Sequence, residues 1–200
     1  MSRSRGPGER AGLDTAQVVA AARLVVEEEG SPALSLRAVA RRLGVAPNAI
    51  YSHIGNRDRL LDAVLDDVLG EVPQPSVATV LRDPVTALRS LMLDSYDVLV
   101  RHPRLMPSYL DRQGARGVQA QRLGSITTMA LDRLGLDERA AHEATRVLIV
   151  NTIGFAAFSA PPSAPGERPI SAAELRRNFE QALAWLLTAI AQSGPPRSTG

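Results

Sequence analysis

Apolar residues return every three or four positions along most of this chain, and nowhere does an apolar/polar alternation of strand type persist. A period of 3.6 gathers apolar side chains on one stripe of a helix, whereas a period of two gathers them on one face of a sheet. The chain is therefore expected to be all-α. Gly and Pro cut the pattern into segments. From Asp14, a fitting N-cap, Val18, Ala22 and Val25 recur until Gly30-Ser31-Pro32 stops them. Ser35 can cap a short second helix whose Leu36, Val39, Ala40 and Leu43 share a stripe, leaving Arg37, Arg41 and Arg42 off it. Gly44 ends that helix, and Pro47 suits the first turn of a third that runs to about His53. A fourth starts near Asn56, carries Leu61, Val64, Leu65 and Val68 as its stripe, and runs to Gly70.

The EVPQPS stretch then breaks the pattern, so an irregular linker is expected over 71–83. Pro84 opens a longer helix with Leu88, Met92, Tyr96 and Leu99 on one face; His102-Pro103 interrupts it, and a shorter segment follows to about Arg112. Residues 116–134 read as another helix, Asp137 to Ser159 as a long apolar one, and Pro161 to Pro169 as a loop. Ser171 and Glu174 can form a capping box for a final helix to Gln192, with Leu175, Phe179, Leu183, Leu186 and Ile190 on its core face. The expected domains are 14–70 and 84–193, preceded by a disordered basic arm over 1–13 and followed by a disordered tail over 194–200.

Composition narrows the function classes. At 44% apolar, 200 residues can bury a core, yet no apolar run approaches the ~18 to 20 residues of a membrane span. The basic start MSRSRGPGERAG lacks the apolar region of a secretory signal, and there is no cysteine for disulfides or thiolate metal sites. A reducing cytoplasm is the expected compartment, with no membrane partner. His102 and His142 lack acidic or Cys partners at ligand spacing, so no metal and no cofactor are expected. No Gly-rich phosphate loop, nucleophile elbow or framed carboxylate pair is present, which argues against an enzyme. All 23 basic residues are Arg, but the net charge is only +2, so any nucleic-acid surface must be local. Residues 30–59 supply one: Arg37, Arg41, Arg42, Arg57 and Arg59 against Asp58, a local +4.

A helix ended by Gly44 and a short helix opened by Pro47 make a helix-turn-helix. Ala40 is small where the helices must cross, Gly44 supplies the turn, and Val45 and Ile50 can bury against Val39 and Leu43. The second helix then offers Pro47, Asn48, Ala49 and Ser52, small groups able to approach base edges in a major groove. Tyr51, His53 and Arg57 flank it as candidate phosphate donors. This stretch resembles the DNA-binding domain of the tetracycline-repressor (TetR) family of bacterial transcriptional regulators. The resemblance rests on AA at 21–22, EEG at 28–30, SLRAVARRLGV at 35–45, IYSH at 50–53 and NRDRLLDAV at 56–64. It implies base contacts from Arg37 and the third helix, and backbone contacts from Ser35, Tyr51, His53 and Arg57. Ile54 stands where Phe is usual, Ala46 where a Ser-like cap is frequent, and Arg57 where Lys is usual.

The rest of the chain resembles the family's helical C-terminal domain, which implies a small-molecule cavity and a homodimer formed by the last two helices. A dimer suits a palindromic double-stranded operator, one recognition helix per half-site. Candidate cavity residues are Met92, Tyr96, Leu99, Met106, Tyr109, Met129, Asn151, Phe155 and Phe158, a set suited to a mostly apolar effector. Taken singly each reads better as core than as cavity lining, and Trp185 fits either core or dimer interface. The expected function is a transcriptional repressor whose operator affinity a small molecule changes. The alternative is an effector-independent DNA-binding or scaffold protein with a filled C-terminal core, holding no cavity above ~300 Å³.

Overall fold

A computed structural model describes residues 13–160 and 170–193. The expected basic arm and tail lie outside the described residues apart from residue 13, as does the loop expected from Pro161 to Pro169. Among the described residues every regular element is helical: α1 Thr15–Glu29, α2 Leu36–Leu43, α3 Pro47–Ile54, α4 Arg57–Leu69, α5 Val77–Arg82, α6 Pro84–Val100, α7 Met106–Asp111, α8 Val118–Arg133, α9 Glu138–Phe158 and α10 Ala172–Ser193. The chain divides into two compact units at residues 64 and 65, inside α4.

In the first unit α1 is capped on both sides of its first turn. Asp14 accepts from the Gln17 amide at 2.7 Å while the Gln17 side chain accepts from the Asp14 amide at 3.1 Å. The core is made by Val18, Ala22, Val25 and Val26 of α1, Val39 and Ala40 of α2, Ile50 of α3, and Leu60 and Val64 of α4, all essentially inaccessible to solvent. Ser35 caps α2 through the Ala38 amide at 3.1 Å. Gly44 closes it in the left-handed region, φ 66° and ψ 29°, a conformation that costs glycine little.

The second unit begins with the last turns of α4, whose Leu65 and Val68 are fully buried. α6 packs against α9 and α10, and Leu88, Leu91, Tyr96 and Leu99 of α6 are buried, as are Leu148 and Thr152 of α9 and Phe179 and Leu183 of α10. Tyr96 stacks on Phe179 at 4.6 Å between ring centroids, Phe155 tilts against Phe179 at 5.5 Å, and the Arg176 guanidinium lies 5.6 Å from the Tyr96 ring centre.

Two boundaries differ from the sequence reading. Part of the stretch expected to be linker forms α5, because Ser76 caps its first turn through Thr79 at 3.1 Å and Val80 is buried. The division falls at 64 rather than after 70, because Leu65 and Asp66 of α4 already bond within the second unit. The Leu65 carbonyl accepts from the Tyr109 hydroxyl, and the Asp66 carboxylate accepts from the Gln119 and Ala120 amides at 3.0 and 2.9 Å. On α10 the buried position is Leu187, with Leu186 only half-buried, since the stripe steps by four after Leu183.

Candidate nucleic-acid interface and core cavity

The turn between α2 and α3 is held by backbone bonding: the Val45 amide reaches the Ala40 carbonyl at 3.0 Å. Ile50 and Ile54 anchor α3 from beneath. Helical geometry then sends Pro47, Asn48, Tyr51 and Ser52 outward, and all four are exposed, Tyr51 at 51%. Ala49 and His53 sit half-buried on the flanks of that face, and Arg37 stands exposed on α2. The Ser52 hydroxyl donates to the Ala49 carbonyl at 2.8 Å, which leaves the oxygen free to accept. Ala46 gives α3 no side-chain cap, so the Asn48 amide at the first turn remains available to an anion. At Ser35 the oxygen caps α2 and the hydroxyl proton can still donate outward.

Two of the arginines in the local positive patch are already engaged. Arg42 makes a two-pronged ion pair with Glu28 of α1, 2.7 Å on each arm, and that hydrogen bond holds the Glu28 carboxyl below its usual range. Glu28 thereby removes one unit of the charge counted over 30–59. Arg57 donates from Nε to the Leu34 carbonyl at 2.9 Å and from a terminal nitrogen to the Ser31 carbonyl at 2.8 Å. It therefore ties the start of α4 to the turn before α2, a structural role that the sequence reading missed. Carbonyls leave its positive charge intact, so the side chain is both a brace and a source of potential at this face.

In the second unit a cavity of about 150 Å³ opens among α6, α7, α8, α9 and the end of α4. Met92, Leu99 and Tyr109 line it, together with residues absent from the sequence reading: Leu69, Ser95, Leu123, Thr127, Ile149, Thr152 and Ile153. The other candidates lie elsewhere. Tyr96 and Phe155 belong to the ring cluster with Phe179, the Tyr96 hydroxyl pairing with Ser159 at 2.9 Å. Met106 is buried core, Met129 is half-buried, and Phe158 is 79% exposed. Asn151 is half-buried, and its amide nitrogen has no hydrogen-bond partner among the described residues.

Comparison with known proteins bears first on the helix-turn-helix. Residues 18–64 match the family described as bacterial regulatory proteins, tetR family. An HTH-type transcriptional regulator of Saccharopolyspora erythraea is 34% identical over 88 residues, 44% of this chain and 36% of that regulator. The chain thus spans little more than a third of the length of that relative. Beyond the matched stretch the fold itself is shared. The Streptomyces coelicolor transcriptional regulator SCO7222, a TetR, superposes with a TM-score of 0.74 at 25% identity, covering 92% of this chain and 100% of that one. Residues 18–64 carry the DNA-binding region of the tetR family, and the chain as a whole shares the fold of TetR regulators. ActR, a TetR-family protein of the same organism in complex with actinorhodin, shares the fold at a TM-score of 0.77 and 22% identity, covering 94% of this chain and 100% of ActR.

The informative signals of the chain divide by range. Gly44, Pro47 and the apolar stripes act within one or two turns and can be read from spacing alone. The Arg57 brace reaches back 23 and 26 residues, and the Asp66 cap reaches forward 53 and 54, with no local pattern to announce either.

Proposed function

We propose that this chain is a sequence-specific DNA-binding transcriptional repressor, working in the cytoplasm as a homodimer on a palindromic operator. The observation that supports it most is the outward face of α3, where Pro47, Asn48, Tyr51 and Ser52 stand exposed on a helix anchored by Ile50 and Ile54. Ser35, Arg37, Ala49, His53 and Arg57 flank that face as further DNA contacts. Base-edge contacts come from the small α3 groups and Arg37, and phosphate contacts from Ser35, Tyr51, His53 and Arg57.

The dimer uses α9 and α10. Val150 and Phe158 on α9 are 70% and 79% exposed, and Trp185 on α10 is 68% exposed. Large apolar side chains in that number on two neighbouring helices suit burial against a second copy.

A mostly apolar molecule in the cavity would act on α4. Leu69 lines the cavity, the Tyr109 hydroxyl holds the Leu65 carbonyl, and Asp66 holds the start of α8, whose Leu123 and Thr127 line the same cavity. At its other end α4 carries Arg57, braced on the carbonyls beside α2. A shift of α4 would move the reading heads, and only about 1 to 3 kcal/mol of coupling gives a 5- to 150-fold change in affinity.

The cavity's volume is the observation that favours the second reading, an effector-independent DNA binder. At about 150 Å³ it lies below the ~300 Å³ of ordinary ligand sites. Fluorescence anisotropy on duplex DNA tests the main reading: one class of sequence should bind about a thousandfold or more above unrelated duplexes at physiological salt. Equal affinity for all duplexes would refute it.

A further inference from the structure

The cavity's chemistry is more specific than its apolar walls suggest. Four hydroxyl side chains line it: Ser95, Tyr109, Thr127 and Thr152. Each has one proton, and each already gives it to a backbone carbonyl. Ser95 donates to Leu91 at 2.7 Å, Thr127 to Leu123 at 2.9 Å and Thr152 to Leu148 at 2.8 Å, while Tyr109 donates to Leu65. What the Ser95, Thr127 and Thr152 oxygens have left is acceptor capacity. No charged side chain lines the cavity among the described residues. Gln113, exposed, is the one lining side chain that carries amide donors.

We propose that this cavity takes a small neutral molecule with a hydrogen-bond donor on an otherwise apolar body, of the phenol or alcohol class, and excludes carboxylates. The inference rests on the effector reading above for its regulatory meaning, but not for its chemistry. A cavity of about 150 Å³ matches the apolar voids that accept a single benzene ring. A ligand O–H or N–H finds lone pairs that the surrounding carbonyls have not used. A carboxylate finds the same lone pairs, no cation and few donors, while losing its own hydration, and desolvating an unpaired charge is costly. An unsubstituted hydrocarbon fits by shape and makes no hydrogen bond.

The preference can be measured on the full chain with three probes of similar size: phenol, toluene and benzoate. Binding is followed by calorimetry and by the melting temperature, and operator affinity is followed separately. We expect phenol to bind about three- to tenfold more tightly than toluene, the effect of one net hydrogen bond, with benzoate not binding. The variant Thr127→Val/Thr152→Val keeps the shape of both side chains and removes two acceptors. It should retain toluene and lose most of the phenol advantage. Should that variant fail to fold, Ser95→Ala alone should lower the phenol-to-toluene ratio. Benzoate binding as well as phenol, a ratio unchanged in a folded variant, or no binding by any of the three would each overturn the proposal. Phenol binding in the expected order without any change in operator affinity would leave the ligand class standing and refute the effector reading instead.

Discussion

Arg37 and Arg57 look alike in the sequence and differ in what their side chains touch. Arg37 stands exposed on α2, whereas Arg57 bonds to the carbonyls of Ser31 and Leu34. Arg37→Ala should therefore leave the melting temperature unchanged and weaken operator binding by about 1 to 3 kcal/mol, concentrated at one base position. Arg57→Ala should lower the melting temperature as well as the affinity for every sequence, since it removes a brace and a charge together. Arg57→Lys separates the two: it should restore the salt dependence of DNA binding but not the stability. A pH-dependent prediction belongs to Asp94 on α6. Burial raises its pKa above the ordinary 3.8, and the charge of Asp97 adds to the shift while Arg176 opposes it. An acid whose pKa is raised on folding disfavours the native state once it is ionised in both states. Asp94→Asn should thus raise the melting temperature at pH 7, and the gain should fade as pH falls through the raised folded pKa and vanish below the ordinary 3.8, where the carboxyl is neutral folded or unfolded.

At the scale of elements, most helices were legible because their signals are local. Gly30, Gly44 and Pro47 punctuate, and apolar stripes separate one helix from the next. α5 was not legible: two prolines in EVPQPS outweigh a six-residue helix whose support is one cap and one buried Val80. The outward face of α3 could be read because Pro47, Asn48, Tyr51 and Ser52 all follow the Gly44 bend by about two turns or less. The cavity could be read only in part, since its hydroxyls come from four helices and their proton use depends on geometry. The α4–α8 junction was equally hidden. Gly117 precedes α8, and a Cβ there would overlap the Asp66 carboxyl group, so the glycine is required by the cap itself. Asp66→Ala should cost about 1 to 2 kcal/mol in thermal or chemical unfolding. Gly117→Ala should cost a comparable amount, and the double variant less than the sum, because both break the same junction. Additive losses would show that the two residues act separately.

At the scale of the whole molecule, the exposed apolar side chains on α9 and α10 carry the oligomeric prediction. Val150→Asp/Phe158→Asp should convert a dimer to a monomer in sedimentation without loss of helix content. Operator affinity should fall with it, because one half-site alone forfeits the second set of contacts. The central claim is that a pair of α3 faces reads DNA sequence, and selection of bound duplexes from a random pool by the purified protein tests it most directly. The account predicts an enriched palindrome with two equivalent half-sites about one helical turn apart, or a small multiple of it. A pool that stays random, bound only in proportion to low salt, would contradict it.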